Sequence, residues 1–191
     1  MARKMQEHGV NASTFSDWWA YKFEVYDAIP HNAALLHAQG VNTGINSDDA
    51  EMSRRLNQEA AKAIKYGGVS PEEAWKMVTL NPARMLKLDH RMGRVAPGMD
   101  ADLVLWSGDP LSIQARVERT YVDGVCYFDR VTDVQRRAWT ASERDRIVRA
   151  MIAAQADGAP TRKARRDRKH LWHCDDLGEE GHEGHDGHDH H

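Results

Sequence analysis

The stretch Val41-Asn42-Thr43-Gly44-Ile45-Asn46-Ser47-Asp48 constrains this chain most, because it alternates like a strand and stops at a carboxylate where a helix begins. Strand side chains point to opposite faces in turn. Val41, Thr43 and Ile45 therefore share one face, and Asn42, Gly44, Asn46 and Asp48 share the other. From Ala50 to Tyr66 the period changes: Met52, Leu56, Ala60, Ala63 and Ile64 recur at helical spacing until Gly67-Gly68. A strand running straight into a helix is the unit of parallel α/β folds. In a barrel of such units, a side chain at the C-terminal end of a strand faces the mouth, where these barrels place their chemistry. Asp48 is thus the leading candidate for a functional role. One carboxylate, however, neither holds a metal tightly nor hydrolyses anything unaided.

Other segments read by their punctuation. Gly9 suits a helix end after Glu7-His8, and Asn11 to Lys22 is polar at its start and aromatic at its end. Pro30 opens a helix through Ala33-Ala34-Leu35-Leu36 that Gly40 can stop. Ser70-Pro71-Glu72-Glu73 reads as N-cap, proline at the first helical position and capping box. Asn81-Pro82 repeats the cap-then-proline pattern for a shorter helix. After Gly93 the texture turns to strands: Leu103-Val104-Leu105-Trp106, then 117–122 and 125–128 joined by Asp123-Gly124, a pair suited to a tight hairpin. Thr140-Ala141-Ser142-Glu143 is a second capping box, opening a helix with Ile147, Val148, Met151 and Ile152 on one face.

The expected architecture is α/β: two strand–helix units, two short helices, a small antiparallel β element, one helix and a disordered tail. With 29 % charged and 41 % hydrophobic residues, the 191-residue chain suits a soluble core. A formal net charge of −3 points to neither specific nucleic-acid binding nor an anionic membrane. No apolar run reaches the roughly 20 residues of a membrane span, and Met1 to Gly9 lacks a secretion signal. The default expectation is a cytoplasmic protein. Cys126, in strand-like sequence, is expected to be a packed small hydrophobe, and no disulfide with Cys174 is expected.

Four segments in order resemble the amidohydrolase superfamily, most nearly its imidazolonepropionase-like members. Gly44-Ile45-Asn46-Ser47-Asp48 with Arg54-Arg55-Leu56-Asn57-Gln58-Glu59-Ala60-Ala61 resembles the barrel's last strand and helix. Thr79-Leu80-Asn81-Pro82-Ala83 resembles the helix after the barrel. Gly93-Arg94-Val95 through Gly98, with Asp100-Ala101-Asp102-Leu103-Val104, resembles the return into a small β-domain, and Val122-Asp123-Gly124 its final hairpin. The likeness covers roughly residues 5–130 and puts Ser13 to Trp19 in the loop after the seventh strand. It implies the C-terminal part of a TIM-type (β/α)8 barrel (its last two strand–helix units), with strands of the small composite β-domain. The implied divisions are 1–92 for the partial barrel, 93–130 for the β-domain segment, 131–158 for a helical extension and 159–191 for the tail.

The resemblance also implies chemistry. Complete members hold one or two divalent metals at the barrel mouth, zinc being the expected one, and hydrolyse non-peptide C–N bonds in cyclic amides and related substrates. Asp48 matches the family's last-strand Asp, a metal ligand and proton carrier, with Asp49 next in register. The family's His-x-His pair and its two further histidines have no counterpart before Asp48. A full barrel takes about 250 residues, so the expectation is a hydrolase portion that is inactive alone. It would need a complementing N-terminal barrel chain, or would self-associate through its open sheet edges.

Plainer readings stand beside these. Asp48 could cap the following helix. Trp18 and Trp19 could line a substrate mouth or could be core or interface aromatics. In the tail, His182, His185, His188, His190 and His191 lie among carboxylates and glycines, a composition that binds zinc, nickel or copper. The alternative function is accordingly a non-enzymatic remnant domain carrying a His-rich metal-binding tail.

Overall fold

A computed structural model describes residues 1–49, 51–160 and 162. Residues 163–191 of the tail, with its histidines from His182 to His191 and Cys174, lie outside the described residues. The chain divides into two compact units, Met1–Ser142 and Glu143–His191.

In the first unit, helix α1 (Ala2–Glu7) leads into strand β1 (Ala12–Thr14). Helix α2 (Asn32–Ala38) then returns the chain to β2 (Thr43–Ile45), which pairs with β1 in parallel. Ser13 and Thr14 thus belong to a strand, and the loop expected there begins only at Phe15. A 3-10 turn at Met52–Arg55 precedes α3 (Leu56–Gly67). Gly68 ends α3 in the left-handed conformation, φ 68°, which only glycine adopts without strain. Gly67 serves a different need. A methyl added there would run into the Cβ of Ala34, because α2 and α3 approach closely at this point. Gly67→Ala should therefore cost about 1–3 kcal/mol through overpacking, measured by denaturant unfolding.

Helix α4 (Pro71–Lys76) begins as its sequence implies, with Ser70 Oγ accepting the Glu73 N–H at 3.3 Å. The capping box is not completed, because the Glu73 carboxylate takes the Lys76 ammonium at 2.7 Å. In α5 (Leu80–Met85) Asn81 lies inside the first turn instead of capping it. Its buried amide donates to the Thr43 carbonyl at 2.8 Å. A long-range bond has displaced the local one.

The core is narrow. Ala33, Ala34, Ile45, Ala63, Val69, Ala74 and Met77 form its buried cluster, so α2, α3 and α4 pack on the Thr43/Ile45 side of β2. Strands β3 (Leu103–Trp106), β4 (Val117–Val122) and β5 (Val125–Asp129) form a separate antiparallel sheet in that order. Asp123 and Gly124 both take positive φ, as a two-residue hairpin turn of matching twist requires. No residue of these strands is fully buried, and Cys126 is exposed, contrary to the packed position expected for it.

Helix α6 (Arg130–Ala156) starts ten residues before the capping box read in the sequence. Asp129 caps it, its Oδ1 accepting from the N–H groups of Val131 and Thr132 at 2.9 and 3.2 Å. Thr140 and Glu143 lie mid-helix, and Ile147, Val148, Met151 and Ile152 are exposed. Among the described residues no helix is long and apolar enough to cross a membrane.

Candidate active-site rim

Two loops leave the same end of the parallel pair. Because β1 and β2 run in one direction, Phe15 to Tyr21 and Asn46 to Asp49 both emerge from C-terminal strand ends. In α/β barrels that end carries the functional groups, since loops there can vary without disturbing the sheet.

Asp48 sits in the second of these loops, exposed and with φ 49°. Left-handed backbone is uncommon outside glycine, and Asp is among the few side chains that tolerate it. Its neighbour caps the turn that follows. Asp49 Oδ1 accepts the N–H groups of Glu51 and Met52 at 2.9 and 2.7 Å.

In the first loop, Trp18 is half-buried. It stacks on Phe15 with ring centroids 4.5 Å apart and meets Tyr21 edge-on at 5.3 Å. Its indole N–H donates to Met52 Sδ at 2.9 Å, which ties this loop to the turn that follows Asp48. Trp19, the other candidate for a substrate mouth, is 49 % exposed. Both tryptophans therefore border the loop pair that carries Asp48, one fixed by packing and the other open.

Beneath the aromatic loop lies a charge cluster that strand and helix spacing did not reveal. Glu59, 6 % exposed on α3, accepts the Ser16 hydroxyl and the Lys62 ammonium, the latter at 2.8 Å. Lys62 also reaches Asp17 Oδ2 at 2.9 Å and Ser16 Oγ at 3.3 Å. Burial alone would pull the Lys62 pKa down, but its bonds to Glu59 and Asp17 outweigh that and hold it above the ordinary value. Lys62 therefore stays protonated near neutrality, so it cannot act as a base towards Ser16. The cluster anchors the loop.

A raised folded-state pKa gives stability that is complete below the unfolded-state value, 10.5, and lost as pH climbs through the folded value. Urea unfolding at rising pH should show wild type weakening above pH 10.5, with Lys62→Met weakening less steeply over the same window, since Lys76 keeps its own raised pKa there. Matched losses in both proteins would contradict the anchor.

A cleft lies elsewhere among the described residues. About 790 Å³ in volume, it is lined by α3 and α4 on one side and the three-stranded sheet on the other. Trp75 and Trp106 meet edge-on there at 6.5 Å, under a rim that includes Arg54, Lys76 and Asp102. Asp48, Trp18 and Trp19 do not line it.

A metal centre needs several ligands at one point. Among the described residues no group of three His, Cys, Asp or Glu side chains is arranged to hold an ion. The residues near Asp48 do not by themselves fit a divalent metal.

Residues 27–156 match the amidohydrolase family, so this chain belongs to that family. Among curated relatives, the amidohydrolase tasK of Hapsidospora irregularis is 33 % identical over 135 residues, covering 70 % of this chain and 14 % of its own length. Adenine deaminase 2 of a Jannaschia strain is 34 % identical over 147 residues, covering 69 % of this chain and 23 % of its own. Imidazolonepropionase of Picrophilus torridus is 31 % identical over 106 residues, covering 51 % of this chain and 27 % of its own. A crystal structure of an amidohydrolase from Thermotoga maritima superposes with TM-score 0.59 at 34 % identity, over 68 % of this chain and 34 % of that one. The chain thus spans only a minor part of each relative.

An adenosine deaminase from Xanthomonas campestris, solved with bound zinc, shares the fold at TM-score 0.52 and 20 % identity, over 75 % of this chain and 40 % of that one. The family is typically metal-dependent and acts on C–N bonds, and the fold likeness is to TIM-barrel-type enzymes.

Proposed function

We propose that this chain is the C-terminal part of a metal-dependent amidohydrolase that hydrolyses non-peptide C–N bonds in cyclic amide-like small molecules. On this reading β1 and β2 are the last two strands of the barrel, and residues 93–130 are strands of the small β-domain. The observation that carries it is the parallel pair releasing Asp48 and the Trp18 loop from one end, with Asp49 supplying the helix cap. Asp48 supplies one carboxylate to a site whose imidazoles come from upstream barrel strands, in the same polypeptide or in a separate chain. Zinc is the expected ion, in keeping with the zinc-bound adenosine deaminase. Trp18 and Trp19 form part of the substrate wall. The chain alone is inactive.

The test is reconstitution. The chain is mixed or co-expressed with the first six strand–helix units of a related amidohydrolase, and hydrolysis of a panel of cyclic amides and aminopurines is followed. Activity is expected only with both pieces together. A well-folded assembly inert to every substrate would overturn the proposal. Within an active assembly, Trp19→Ala should raise KM severalfold with little change in kcat, as expected for an exposed ring that binds substrate and transition state alike.

A further inference from the structure

The two outer edges of the parallel pair are not equivalent. In the observed register Ala12 lies opposite Thr43, Ser13 opposite Gly44 and Thr14 opposite Ile45. Ala12 N–H donates to Asn42 O at 3.0 Å, and Asn46 N–H donates to Thr14 O at 3.1 Å. Main-chain groups alternate in direction along a strand, so those of Thr43 and Ile45 point away from β1, where a further strand would pair. Both positions are already engaged. Ile45 N–H donates to Met77 O at 3.0 Å, and Thr43 O accepts the Asn81 side-chain amide at 2.8 Å.

The substitute is fastened from other sides. Asn42 Nδ2 donates to Asn81 O at 3.3 Å. A methyl on Gly44 would stand 3.0 Å from Met85 Cε, so the missing side chain lets α5 sit close over the strand. Thr43 and Met77 are fully buried, and Ile45 and Asn81 nearly so. Bonds in so dry a place give way only to an equivalent donor or acceptor, since leaving either group unpaired is costly. On β1 the corresponding outward groups belong to Ser13, which is exposed.

We infer that Met77 and Asn81 act as a built-in stand-in for a neighbouring strand, closing the outer edge of β2 against β1 of a second copy of this chain. An open β2 edge matches an open β1 edge in hydrogen-bonding pattern. Copies joined through the two would add head to tail, each leaving a fresh edge for the next. The stand-in removes one half of that joint. The stand-in belongs to the chain by itself; on the hydrolase reading the barrel's first strand would displace it and take the same groups of Thr43 and Ile45.

The test compares the full-length wild type, Asn81→Ala, and Asn81→Ala combined with Ser13→Pro by sedimentation velocity over a range of concentrations. Proline at residue 13 removes only an N–H that points away from β2. Wild type should keep one size distribution. Asn81→Ala should grow, its average mass rising by about twofold or more with concentration, and the double variant should return to wild-type behaviour. No growth in Asn81→Ala, or growth that survives Ser13→Pro, overturns the inference. If Asn81→Ala does not fold, hydrogen exchange in the wild type decides. An Ile45 amide protected like that of Asn46 supports the closed edge, and one exchanging at the unstructured rate refutes it.

Discussion

In an assembly that hydrolyses a C–N bond, Asp48→Asn is expected to lower kcat by about a thousandfold, while Asp49→Asn leaves it within about threefold, the scale on which losing a positioned proton carrier differs from losing a helix cap. Asparagine keeps the shape of Asp48 and can adopt its left-handed backbone, so the change removes charge and basicity and leaves the turn intact. Asp49 predicts the opposite profile. Its carboxylate holds the N–H groups of Glu51 and Met52, and its loss should appear as about 0.5–2 kcal/mol of stability. Steady-state kinetics paired with denaturant unfolding separates the two residues. Equal kinetic losses at both would mean that the turn as a whole matters, and Asp48 would lose its particular role.

The second large effect is on stability. Met77→Ala should cost about 4–5 kcal/mol, the upper part of the range for large-to-small core changes. The cost of such a change depends on whether neighbours can fill the void. Met77 is fully buried, and four of its six companions in the cluster are alanines, too short to extend into the space it leaves. Met77→Leu, nearly equal in volume, should cost less than about 1.5 kcal/mol. A loss below 2 kcal/mol for the alanine variant would mean that this cluster is not the principal core.

What the sequence disclosed follows from the reach of each signal. Gly68 as a helix stop, Ser70 as a cap and Asp123-Gly124 as a turn act over three or four residues, and all three stand in the structure. Alternation holds only over Thr43–Ile45, and Asp48 lies three residues beyond the strand, in left-handed backbone that alternation does not describe. Readings failed where a distant partner competed with a local one. Asn81 looked like a cap but holds Thr43, 38 residues away. Asp48 and Asp49 are equivalent caps in sequence, and only the backbone geometry decides between them. The Glu59–Lys62 cluster joins residues 43 to 46 positions apart, and periodicity carries no trace of such pairs. The extension expected over 131–158 is helical from Arg130, ten residues before the capping box at Thr140, because its cap, Asp129, also closes a strand.

Zinc content provides the most direct test of the account. A chain ending at Ala159, free of the histidine-rich tail, is assembled with the upstream barrel piece, dialysed and measured for bound metal. Zinc should be retained in the assembly, absent from either piece alone, and weakened or lost with Asp48→Asn. Zinc held equally well without the Asp48 carboxylate, or held by the shortened chain in isolation, would contradict the account.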